Sequence, residues 1–225
     1  MFNYNRRLLE LAANRLSGFK KIFWVIGGAC SGKSTVCQSI SARRNLPVYD
    51  MDAHVYGAYI ESYTWERHPA SKTWFSASDP LQWVLSLSWQ KFNSLNRAAN
   101  VEYLDLFAED LKRNPVEGPL LVDGGITHPS ILSQVLPSER IVCLETDVEA
   151  NATAWNDDPG RASMKSAVLS LAYPKGAWQK FLKWDRLISE TILTESRQLG
   201  IMVHRRNKTT SVDDSTKLVL GHFGI

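Results

Sequence analysis

Gly27-Gly28-Ala29-Cys30-Ser31-Gly32-Lys33-Ser34 fits the phosphate-loop pattern GxxxxGK[ST] at every fixed position. Upstream, Lys21-Ile22-Phe23-Trp24-Val25-Ile26 is a short, β-branched apolar run that reads as a buried parallel strand. Downstream, Thr35-Val36-Cys37-Gln38-Ser39-Ile40 reads as the opening of a helix. Strand, loop and helix thus follow in the order the motif requires. Gly27, Gly28 and Gly32 let the backbone turn the N–H groups of the loop, Ala29, Cys30 and Ser31 included, onto phosphate oxygens, and the helix beginning near Lys33 adds the positive end of its dipole. The expected occupant is a nucleotide, ATP with Mg²⁺. Lys33 is expected to reach the β- and γ-phosphates, Ser34 to offer its hydroxyl to the metal, and Thr35 to cap the helix or touch the α-phosphate. The same donors are expected to favour the Cys30 thiolate. The plain alternative is a glycine-rich turn that binds nothing.

A chain of 225 residues, 44% hydrophobic and 22% charged, can bury a full core without disulfides or a structural metal. Residues 1–225 therefore read as one domain. The net charge of +3 comes from dispersed lysines and arginines, which does not indicate a nucleic-acid surface. Cys30, Cys37 and Cys143 form no CxxC pair and no metal-ligand spacing, as expected in a reducing compartment. Apolar runs are strand-length, short of the ~20 residues that span a bilayer, and the N-terminus shows no signal-peptide core, so the expectation is a cytoplasmic protein without a membrane partner. Leu8, Leu9, Leu11, Ala12 and Leu16 recur at helical spacing, predicting an amphipathic helix that packs on the sheet or on a second subunit of a homodimer.

After the phosphate-loop helix, Val48-Tyr49 starts a second strand that runs into Asp50-Met51-Asp52. Two acids at the C-terminal end of a strand stand where open α/β sheets bind ligands. If that segment is extended, both carboxylates face one pocket and Met51 the other side. Asp52, nearer the insertion, is expected to take the proton of an acceptor hydroxyl, and Asp50 to act through the metal's waters; Asp52 as a mere helix cap is the alternative. Residues 53–114 form a helical insertion holding 11 of the 23 aromatic residues, enough to give it a core of its own. Within it, Asp79-Pro80 opens a helix through Trp89, and Phe92, Leu95, Ala99, Tyr103, Leu106 and Leu111 trace a longer one. Tyr63 and Trp65 are candidates to line an acceptor pocket. Arg67 in Arg67-His68-Pro69 is a candidate substrate ligand, and His68 a weaker candidate base.

Leu120-Leu121-Val122-Asp123 reads as the third strand, whose terminal acid suits the Mg²⁺ shell opposite Ser34. Gly124-Gly125 lets the backbone pass close to a substrate, and His128 follows on the same edge. The fourth strand is Ile141-Val142-Cys143-Leu144. Residues 151–186, carrying Arg161, Lys165, Lys175, Lys180, Lys183 and Arg186, read as a cationic lid in which Arg161 or Arg186 meets the charge of the transferring phosphoryl group. Ile201-Met202-Val203-His204 is the fifth strand, Asn207-Lys208-Thr209-Thr210 its outgoing loop, and Ser211 or Asp213 caps the last helix.

Five strands alternating with helices predict a doubly wound parallel sheet. The phosphate loop, the acid pair, Asp123-Gly124-Gly125 and the cationic segment together resemble the phosphate-loop kinases of small molecules and nucleotides, the group of shikimate kinase, gluconate kinase, chloramphenicol phosphotransferase and the nucleoside monophosphate kinases. Asp50-Met51-Asp52 resembles the DxD of shikimate kinase, and Gly124-Gly125 its glycine run. The resemblance implies sheet order 2-3-1-4-5, ATP on the loop, and a small-molecule acceptor beneath the insertion. The chain departs from the group in its longer, Trp-rich insertion and in having no arginine between Glu149 and Trp155. A nucleotide-binding regulatory ATPase without an acceptor is the second reading.

Overall fold

The fully apolar runs take the centre of the sheet. The computed structural model describes residues 1–207 and 209–225; Lys208, in the expected outgoing loop, lies outside the described residues. In it, β1 (Ile22–Gly27) lies between β3 (Leu120–Asp123) and β4 (Ile141–Thr146), with β2 (Val48–Asp50) and β5 (Met202–Arg206) at the edges. All pairings are parallel and the order is β2-β3-β1-β4-β5, as expected of a phosphate-loop kinase fold. A parallel sheet whose central strands are apolar on both faces needs a helical layer on each. On one face, α2 (Lys33–Arg44) and α11 (Val212–Phe223) cover Phe23, Val25, Leu121, Val142 and Leu144. On the other, α1 (Arg6–Leu16), α6 (Trp89–Arg113) and α10 (Pro174–Gln198) cover Trp24, Ile26, Val122 and Cys143.

The amphipathic α1 buries Leu8, Leu9, Ala12 and Leu16 against α6 and is capped by Asn5, which accepts the Leu8 N–H. No helix among the described residues is long and apolar enough to cross a membrane. The insertion begins with α3 (Met51–Ala53) and widens at once into a π-helical turn over His54–Ala58, where the Tyr59 N–H reaches the His54 carbonyl at 2.8 Å. It continues through α4 (Pro69–Phe75) and α5 (Pro80–Ser86) into α6. Asp79 caps α5 by accepting the Gln82 N–H, as predicted. The helix predicted to run through Trp89 stops at Ser86, because Ser88 is extended and its hydroxyl accepts the Lys91 N–H to start α6 afresh. Three further helices, α7 (Pro129–Leu132), α8 (Val148–Asp157) and α9 (Ala162–Leu169), lie between β3 and α10.

Candidate functional site

The register of the sheet gathers the predicted chemistry at its C-terminal edge. Asp123 ends β3 opposite Val25 of β1 and Asp50 of β2, so two strand-end carboxylates flank the phosphate loop leaving β1. The loop turns through Cys30, a non-glycine residue held at φ 61°, a backbone strain of the kind found in ligand clamps. Lys33 opens α2 and its ammonium donates to the Gly28 carbonyl at 3.0 Å. The Ser34 hydroxyl partners the Asp123 carboxylate, while Asp123 Oδ1 is buried without a partner. Burial pushes the Asp123 carboxyl up, against the downward pull of Ser34 and Lys33, and Asp50 pushes it further up. A hydroxyl beside an under-satisfied carboxylate is a hard-oxygen donor set of the kind that fits Mg²⁺.

The acid pair is not extended. Asp50 is the helix cap, accepting the Ala53 N–H at 2.9 Å, and the helix starts at Met51, so strand alternation does not apply. Met51 is fully buried. Asp52 is held beside Lys33. A Cβ on Gly124 would lie 2.8 Å from Asp52 Oδ2 and 3.5 Å from Lys33 Cε, and the Gly125 N–H donates to Asp52. Gly124 and Gly125 sit at φ 71° and 75°, which only glycine adopts freely, and neither position leaves room for a side chain against Asp52 and Met51. Trp24 pins this turn from beneath, its indole N–H donating to the Gly124 carbonyl at 2.8 Å. Asp52 remains open to solvent, yet protein surrounds it closely enough that desolvation pushes its carboxyl up despite Lys33, which pulls it down; Asp123 and Asp50 add to the rise.

On the other side of the loop, the segment predicted as a lid reaches down to it. Asn151 donates to the Ala29 carbonyl at 2.9 Å, and Ser189 of α10 stands where a side chain on Gly28 would go. The Trp155 indole donates to Asp185 at 3.0 Å, and the Arg161 guanidinium lies 5.1 Å above the Trp155 ring. Arg161 also lies within electrostatic reach of Cys30 and Asp185. Arg186 pairs with Glu190 and lines a cavity of about 120 Å³ beside Gly28, Ser31 and Ser189. Arg206, at the end of β5, donates to the Ser31 carbonyl at 3.2 Å and packs on Gly32. The predicted Cys30 thiolate is not favoured: burial pushes the thiol up, and Asp185 opposes the pull of Arg161 and Lys33.

No family model and no curated protein sequence matches the chain. Among solved structures, the crystal structure of TT1252 from Thermus thermophilus aligns at a TM-score of 0.53 over 89% of this chain and 96% of that one. The sequence identity is 15%. At that identity the likeness is one of fold.

Arg67 does not belong to the cleft. Its guanidinium bonds Asp105 at 2.8 Å and Glu109 at 2.5 Å, where Arg15 of α1 binds the same two acids. His68 is buried and bound to Asp105 at 3.2 Å, a structural contact rather than that of a base. Tyr63 is core, and Trp65 is an exposed ring. Sequence reading missed Asn100, Asn151, Asp185, Ser189 and Arg206. Asn100 left a signal, a polar residue on the apolar stripe of α6: its buried side chain accepts the Thr127 and His128 N–H groups, both at 2.9 Å, and so holds the turn that carries Gly124 and Gly125.

Proposed function

We propose that the chain is an ATP-dependent phosphotransferase acting on a hydroxyl of a small-molecule acceptor. The observation that carries this reading is the convergence of Lys33, Asp52 and Gly124 at one end of the phosphate loop, with Ser34 and Asp123 beside them. The loop, Lys33 and Ser34 hold the phosphates. Ser34, and Asp123 through the metal's waters, would hold Mg²⁺, which when bound would neutralise phosphate charge. Asp52 is the base: its carboxyl, raised by desolvation, takes the proton of the acceptor hydroxyl as that oxygen bonds to the γ-phosphorus, the bond from phosphorus to the β-phosphate oxygen breaks, and ADP leaves. Arg161, steadied on Trp155, meets the charge on the transferring group.

The test is acceptor phosphorylation by the wild type and two variants. Lys33→Ala is expected to lose roughly 10²-fold or more in rate with a smaller loss of ATP affinity. Asp52→Asn is expected to lose transfer by roughly 10²-fold while ATP affinity stays within about twofold. ATP consumption that needs no acceptor and survives Asp52→Asn supports the regulatory ATPase instead.

A further inference from the structure

One carboxylate of α10 gathers the groups that join the segment after β4 to the phosphate loop. Asp185 lies one helical turn before Ser189, the residue packed on Gly28, and is half-buried. It accepts the Trp155 indole N–H at 3.0 Å and the side-chain amide of Asn151. That amide also donates to the Ala29 carbonyl at 2.9 Å, so one side chain of α8 bridges α10 and the loop. Trp155 is buried and meets the rings of Trp178 and Phe181 of α10 edge-to-face at 6.3 and 4.7 Å. Arg161, in the short turn Pro159–Arg161 between α8 and α9, lies 5.1 Å above the Trp155 ring. The salt bridges of this region among the described residues, Arg186 with Glu190 and Arg197 with Glu145, leave Arg161 out. A guanidinium held over a ring face uses none of its five N–H donors for that contact, so they remain for an oxygen ligand.

A long arginine side chain is placed only if its support is fixed. The support here is the Trp155 ring, and an indole has a single donor, so the acceptor of that N–H sets how the ring lies. Asp185 is that acceptor, and its two oxygens suit two donors at once. Its position is otherwise unfavourable. Burial pushes its carboxyl up, against the pull of Trp155, Asn151, Lys33 and Arg161, and its charge faces a loop built for phosphate. We infer that Asp185 is a positioning residue for phosphoryl transfer: it holds Asn151 on the loop and Trp155 beneath Arg161, and so sets the guanidinium where the γ-phosphate arrives. This rests on the phosphotransfer reading, in which Arg161 meets the charge on the transferring group. Since the γ-phosphate is what separates ATP from ADP, the placement of Arg161 is measured by the preference for the triphosphate.

The experiment is calorimetric titration of the full chain with Mg-ADP and with the Mg complex of a β,γ-imido analogue of ATP, which is not hydrolysed. The wild type is expected to prefer the analogue by about tenfold, the size of a charge-assisted contact. Arg161→Ala and Asp185→Ala should each bring the preference within about twofold of unity, and the double variant should lose no more than the larger single loss. Asp185→Asn, which keeps an acceptor of the same size, should stay within about threefold of the wild-type preference, and ADP affinity should change by less than about threefold throughout. Trp155→Phe removes the N–H and keeps a ring, so it carries the test if Asp185→Ala does not fold, with an expected fall of about threefold or more. A preference lost in Arg161→Ala but kept in Asp185→Ala or Trp155→Phe, or losses that simply add, overturns the inference and leaves phosphotransfer standing; Asp185 is then a structural acceptor that affects melting alone. A wild type that binds the two nucleotides alike, with Arg161→Ala indistinguishable from it, overturns the inference together with the role of Arg161 in transfer.

Discussion

Asp123 holds a carboxylate where burial opposes its charge, and its Oδ1 has no partner. Its carboxyl is raised in the folded chain, so the stability it contributes is fully present below the unfolded value of 3.8 and is lost as pH rises through the folded value. At pH 8 the ionised Asp123 therefore burdens the ligand-free protein. Asp123→Asn should melt higher than the wild type at pH 8, by about 2–4 °C for each kcal/mol relieved, with the gain shrinking toward pH 4. Melting curves of the two proteins across that range decide it: a variant less stable at pH 8 makes Asp123 a structural acceptor for Ser34. Arg67 carries the opposite expectation. Arg67→Ala takes one of three donors from Asp105, whose side chain is fully buried. Since Arg67 is itself about one-third exposed, the loss should be roughly 1–3 kcal/mol of stability, with Mg-ATP affinity unchanged. If calorimetry shows no loss of stability while acceptor binding collapses, Arg67 is a substrate ligand after all. In the sequence, Arg67 looked like a loop cation free to bind because its partner lies 38 residues away on a helix whose polar side no periodicity distinguishes from solvent.

At the scale of elements, the phosphate loop and the strand-end acids were legible because each is a short-range pattern: a fixed spacing, an apolar run, an acid at its end. The start of the insertion was not. Asp50 could continue the strand or cap a helix, and what settles it is the Asp50 bond to the Ala53 N–H together with Gly125 giving Met51 room to turn inward. The seat of α10 on the loop was hidden as well, since it depends on a contact between Gly28 and Ser189 that no local signal announces. That contact can be tested by a cycle. A Cβ on Gly28 would lie 2.9 Å from the Ser189 Cβ and closer to its hydroxyl, so Gly28→Ala should cost roughly 1–3 kcal/mol as overpacking. Ser189→Gly clears the space, and the double variant Gly28→Ala/Ser189→Gly should recover most of what Gly28→Ala loses beyond the cost of Ser189→Gly alone. Denaturant unfolding of the four proteins measures the coupling; strict additivity means that α10 does not rest on the loop in solution.

Over the whole molecule, α6 ties the layers together, receiving α1 through Asp105, the insertion through Glu102, and the turn after β3 through Asn100. The sheet order was readable from strand apolarity and loop type, but this polar spine was not, because its residues pair with partners far along the chain. His128 lies where α6, the turn after β3 and α10 meet. It is buried, its backbone N–H is held by Asn100, the next helical turn is held by Glu195 through the Ser130 N–H, and its Nε2 has no partner. Burial lowers its pKa, Arg97 lowers it further, and Glu195 pulls the other way, so the imidazole is neutral at pH 7. A depressed histidine stabilises the fold above the unfolded value of 6.5, and that contribution drains away as pH falls below it toward the folded value. The raised carboxylates Asp52, Asp123 and Asp185 act in the other direction on acidification, and a comparison of wild type with His128→Asn cancels them, since they are common to both. The smaller side chain lowers the melting temperature at every pH through the cavity it leaves. What identifies the histidine is the slope: between pH 6.5 and pH 5 the wild type should lose melting temperature faster than His128→Asn, so that the two curves converge. Curves that stay parallel over that interval mean that His128 takes up its proton in the folded chain as readily as in the unfolded one, and that the meeting point of α6, the turn after β3 and α10 is open to water.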